Sequence, residues 1–233
     1  MIPMLAHLLF SFTRGYWLGF IAGMILATIL SWRNLGRHEP GVRSRRILLV
    51  PALVGVLTVT AGLSGLYFGG GDLLSSIGRR FNASFSTGLS GETLSNVSRL
   101  IEYQHAIDAA LESPVIGRGL GFAIINKDPL IGETREQWFV HNYYLLTWLH
   151  LGVVGLAAFG FLIWKFVRAA KRVADRDPDW LMRAWSIIAL AVTTEVLVIL
   201  LTNYSLADVT TAFSFAYIWG IFWAMRADRG SAA

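Results

Sequence analysis

Arg14, Arg99 and His141 are the side chains of this sequence best suited to chemistry, and they are far apart along the chain. An arginine fork holds phosphate oxygens in pairs. An imidazole, with an unperturbed pKa of about 6.5, takes a proton from a hydroxyl near neutral pH. Arg14 stands at the head of one apolar run and His141 at the head of another, HNYYLLTWLHLGVVGL. Both therefore lie beside unpaired backbone N–H groups at the positive end of a helix dipole, where anions are favoured. Together the three residues suit a phosphate or diphosphate held at a membrane surface, with a base for an attacking hydroxyl. Asn142 and Arg118 are secondary candidates.

The elements that must position these residues are membrane helices. Of 233 residues, 55% are hydrophobic and only 15% charged, and mean hydropathy is +0.54, which suits several bilayer spans and not a soluble domain. About 20 apolar residues cover a hydrocarbon core of about 30 Å. Five stretches qualify: residues 15–32, 47–68, 142–167, 181–202 and 209–225. Residues 1–12 are too short to count and lack the pattern of a signal peptide. With no cysteine and five scattered histidines, neither a disulfide framework nor a metal cluster is expected.

Basic residues set the orientation. Arg33, Arg37, Arg43, Arg45 and Arg46 fill the turn after the first span, and Lys165, Arg168, Lys171, Arg172, Arg176 and Arg183 fill the turn after the third. Both turns are expected on the cytoplasmic side, and the tail with Arg226 and Arg229 joins them. The net charge of +5 follows from this bias and needs no nucleic-acid partner.

The same topology puts residues 69–140 outside, between an N-terminal part (residues 1–68) and the last three spans with their tail (residues 141–233). This outer segment opens with Gly69-Gly70-Gly71, runs through a Ser/Gly/Asn-rich stretch, and turns periodic over residues 94–111. At 100° per residue, Val97, Leu100, Ile101, Gln104, Ile107, Asp108 and Leu111 share a largely apolar face, with Arg99, Tyr103, Ala106 and Ala110 opposite. The spacing predicts a helix lying along the membrane surface and ended by Ser113-Pro114. Gly117, Gly119 and Gly121 make the chain after it too pliable for helix. This GxGxG is no dinucleotide fingerprint, since neither strand nor helix flanks it.

The segments SFTRGYWLG around Arg14, SRLIEYQHAIDAALESPVIGRGLG around Arg99 and HNYYLLTWLHLGVVGL from His141 resemble the three signature regions of the O-antigen ligase and polymerase superfamily, in order and sidedness. The resemblance covers about residues 11–165. It implies an all-α polytopic bundle, part of a C-type glycosyltransferase fold, in the bacterial inner membrane with a periplasmic loop over the site. It implies a metal-independent enzyme of envelope polysaccharide or lipopolysaccharide biosynthesis that needs no cofactor. Arg14 and Arg99 would hold the diphosphate of an undecaprenyl diphosphate-linked glycan donor, and His141 would activate an acceptor hydroxyl on a glycan, lipid or protein. Members usually carry further spans before the region matching Arg14, so the resemblance is to a carboxy-terminal half, and a separate N-terminal membrane half is a candidate partner.

Each residue also has a plainer reading. Arg14 can be a snorkelling anchor beside Tyr16 and Trp17, Arg99 can pair with Glu102 at i+3, and His141 can belong to a belt with Trp138, Tyr143, Tyr144 and Trp148. Joint occurrence at family spacing favours the site. Gly15, Gly19 and Gly23, followed by Ala27, read as a ridge for close helix packing. His150 and Glu195, each about 10 to 12 Å below the outer surface by helical rise, read as a structural pair between spans. The competing function is a transporter-like or non-catalytic membrane subunit, for which Glu195, His150 and some Ser/Thr are the polar residues at hand.

Overall fold

The computed structural model describes residues 14–35, 91–127 and 134–230. They form α1 (Arg14–Leu35), α2 (Gly91–Leu111), β1 (Ile124–Lys127), β2 (Thr134–Gln137), α3 (Tyr143–Arg176), α4 (Trp180–Ile199), a 3-10 turn (Ser205–Ala207) and α5 (Val209–Gly230). The fold is helical. α3 and α4 are long and apolar enough to cross a membrane, and α1 carries a shorter apolar stretch, Leu18–Asn34. The expected span at residues 47–68, the glycine- and serine-rich stretch before α2, and Arg37, Arg43, Arg45 and Arg46 lie outside the described residues. Those described divide into two compact units: residues 91–127 and 134–157 in one, 14–35 and 158–230 in the other.

In the second unit α1 packs on α4. A Cβ added at Gly19 would stand 2.7 Å from the Glu195 carbonyl oxygen, and one at Gly23 would stand 2.8 Å from that of Ala191. The glycine ridge is thus a packing device, with backbones in near contact. Asp179 caps α4 by accepting the Leu181 N–H at 2.8 Å. Phe166 stacks on Trp219 with centroids 3.9 Å apart inside a core that includes Leu30, Ile187, Leu190 and Phe222. Leu18, Ile21, Ile25 and Ile29 of α1 point outward, the disposition of a lipid-facing stripe.

The first unit departs from the expectation in two ways. After α2 the chain forms an antiparallel hairpin, Ile124 opposite Gln137 and Lys127 opposite Thr134, so the class is helical with a small sheet and not purely all-α. In addition, α3 is broken at Gly152, whose φ of 65° and ψ of −167° lie in a region essentially confined to glycine. The break removes two helical hydrogen bonds, and residues 113–119 restore their partners. Val153 and Val154 N–H donate to the Pro114 and Val115 carbonyls at 2.9 and 3.2 Å, while Arg118 and Gly119 N–H donate to those of Leu149 and His150 at 2.8 and 3.0 Å. Non-helical backbone inside an apolar run is stable only when its polar groups are met by protein.

The approach is close. A Cβ on Gly152 would stand 2.1 Å from the Val115 oxygen, and one on Gly117 (φ 76°) would stand 2.4 Å from the His150 carbonyl. Gly152→Ala is expected to cost about 1–3 kcal/mol for backbone strain alone, with the collision added. It should melt earlier in detergent than Gly160→Ala, a site with nothing within 4 Å.

Candidate functional site

α2 begins three residues before the predicted segment and ends with it, running from Gly91 to Leu111, and its faces fall as the periodicity predicts. Val97, Leu100, Ile107 and Leu111 point outward, while Ala106 and Ala110 are buried. Glu102 shares the buried side, only 2% exposed. A carboxylate among alanines is costly unless donors meet it. Three do: the His141 backbone N–H at 2.5 Å, the Gln137 Nε2 at 2.7 Å, and His141 Nδ1 at 2.9 Å. Gln137 ends β2 and also donates to the Phe139 carbonyl at 2.8 Å, so the hairpin supplies one wall of the clasp. The Tyr103 hydroxyl donates to the His141 carbonyl at 2.7 Å, and Phe139 meets the imidazole edge-on at 5.3 Å. The ring keeps 32% of its side-chain surface accessible, against 3% for Glu102.

Electrostatics follow the geometry. Burial pushes the Glu102 carboxyl up, but the hydrogen bonds from the His141 ring, the His141 amide and Gln137 outweigh it and hold the group below its ordinary value of 4.5. The Tyr103 phenol is raised, first by burial and then by the Glu102 charge, with the nearby Arg99 guanidinium pulling the other way. A depressed carboxyl stabilises the fold at pH above its unfolded value and loses that contribution as pH falls through the folded one. Protection of the His141 amide against hydrogen exchange should therefore persist past pH 4.5 and fail only below it. Loss of protection already at pH 6 would contradict the clasp.

The predicted residues are placed as follows. His141 stands two residues before α3, with Asn142 capping that helix by accepting the Leu145 N–H at 3.0 Å. Arg99 is half-buried on α2, one turn before Tyr103. Arg99 and His141 thus belong to one compact unit, linked through Tyr103. Arg14 is the first residue of α1, in the other unit. Arg118 pairs with Glu112 and lies 4.5 Å over the Phe122 ring. His150 Nε2 meets the Phe122 carbonyl at 3.1 Å, and Glu195 lies on α4 where Gly23 passes. Among the described residues no group of three His, Cys, Asp or Glu side chains gathers as metal ligands would.

Sequence reasoning missed Glu102 and Gln137 as partners of His141. In the sequence Glu102 reads as the i+3 partner of Arg99, and its position in line with Ala106 and Ala110 is the signal of a buried, paired carboxylate.

Comparison with curated proteins gives no match, and comparison with solved structures gives none either. The family model described as O-antigen ligase matches residues 1–160. This region includes Arg14, Arg99, Glu102 and His141, and with apolar helices of spanning length it makes the chain a helical membrane protein that belongs to the O-antigen ligase family.

Proposed function

We propose that this protein transfers a glycan from an undecaprenyl diphosphate-linked donor to an acceptor hydroxyl at the periplasmic face of the inner membrane, as a ligase or polymerase. The acceptor oxygen attacks the anomeric carbon while the bond from that carbon to the diphosphate oxygen breaks. The electron pair leaves with the diphosphate, and the hydroxyl proton passes to His141. A diphosphate needs no strong acid to depart, so the chief electrostatic task falls to Arg14 and Arg99 as charge develops on the leaving group. The proposal takes the five-span topology expected from the sequence, in which the arginine-rich turns are cytoplasmic and the segment bearing α2 and His141 is on the outer side.

The observation that carries this proposal is the tie between α2 and His141: the helix bearing Arg99 also supplies Glu102 and Tyr103, which grip the proposed base. The test is complementation of strains lacking either an O-antigen ligase or a glycan polymerase, with the coding region supplied in its chromosomal surroundings. Surface glycan should return in one of them. Failure in both, with the protein present in the membrane, would count against transfer.

A further inference from the structure

We infer that Glu102 is a positioning residue that fixes His141 in the tautomer protonated at Nδ1, so that Nε2 is the nitrogen that accepts the hydroxyl proton. The inference rests on the proposal that His141 is the base of glycan transfer and adds which nitrogen acts and what selects it.

The geometry leaves little choice of roles. One Glu102 oxygen accepts the backbone N–H of His141 at 2.5 Å. The other faces Nδ1 at 2.9 Å and Gln137 Nε2 at 2.7 Å. Gln137 directs its amide nitrogen to a second acceptor, the Phe139 carbonyl at 2.8 Å, so the amide is oriented with its donor towards the carboxylate. An ionised carboxylate only accepts, and Nδ1 must therefore carry a hydrogen. Holding amide and ring of one residue by both oxygens also fixes the ring's direction, and Tyr103 secures the carbonyl of the same residue at 2.7 Å. Glu102 itself, 2% exposed, is sealed from an acceptor sugar, whereas the imidazole reaches the surface. A buried acid that orients and an accessible ring that reacts is the division of labour of carboxylate–histidine pairs in hydrolases.

Glu102→Gln keeps the shape and removes the second acceptor. Its single oxygen serves the His141 N–H, which the backbone fixes, and the new NH₂ turns towards Nδ1 and Gln137, whose own amide flips to present its oxygen at the loss of its bond to Phe139. The ring can then only accept at Nδ1, and its proton moves to Nε2. Nitrogen-15 NMR of histidine-labelled protein in detergent is expected to show Nδ1–H for His141 in the wild type and Nε2–H in Glu102→Gln. The kcat for transfer should fall about 10²-fold, with KM for the lipid-linked donor unchanged; a merely structural role would leave the tautomer alone. Wild-type protein with Nε2–H overturns the inference without any variant. A Glu102→Gln protein with wild-type kcat and tautomer overturns it too, while an inactive His141→Ala protein beside it leaves the transferase proposal standing. Wild-type activity in His141→Ala would instead remove His141 as the base, and with it proton transfer to Nε2, while the transfer activity itself stands.

Discussion

His141→Ala is expected to lower glycan transfer by about 10²- to 10⁴-fold, the range typical of a lost general base, without lowering the amount of protein in the membrane. The second half of that expectation comes from the clasp. Two of the three donors to Glu102, the amide at position 141 and Gln137, survive the substitution, so the buried carboxylate is not stranded. The side chain removed is also partly accessible already, at 32% of its surface, and leaves no sealed cavity. Turnover of a labelled lipid-linked donor, followed by the mobility of the acceptor product, measures the effect. A variant within a few-fold of wild type would remove His141 from the chemistry.

Arg99→Ala is expected to cost about 10²- to 10³-fold, the usual size of one lost stabiliser of transition-state charge. Arg99→Lys should recover only part of this, because an ammonium keeps the charge and loses the two-pronged fit to adjacent phosphate oxygens. The side chain is half-buried on the α2 face that carries Tyr103, and its charge reaches the Tyr103 phenol. Tyr103 in turn holds the His141 carbonyl. Arg99 substitution is thus expected to act on kcat through the leaving group, with the clasp intact and the His141 amide still protected from exchange. A lysine variant as fast as wild type would show that paired recognition is not used.

The helices were legible in the sequence because apolar runs and the 3.6-residue period dominate it: α1, α3, α4 and α5 fall on four of the five stretches picked out, and α2 on the amphipathic one. The glycine ridge of α1 was legible as packing for the same reason, since a four-residue repeat lies on one side of a helix. The hairpin was not. Its strands, IINK and TREQ, are four residues each and carry no alternation of polar and apolar side chains. The break at Gly152 was hidden by its surroundings, because a glycine inside LHLGVVGL reads as a tolerated helix residue, and only the approach of residues 113–119 makes it more. Of the site, the residue types of Arg99 and His141 were visible. The bond between Glu102 and His141 spans 39 positions and depends on the unforeseen hairpin.

The exchange of four backbone bonds across the Gly152 break has a mechanical consequence. The turn after α2 and the broken helix each complete the other, so neither can peel away without stranding amides and carbonyls where no water replaces them. They must open together or stay shut together, like two halves of a zip fastener. Residues 113–119 and 149–154 therefore form one stiff joint, braced at Gly117 and Gly152.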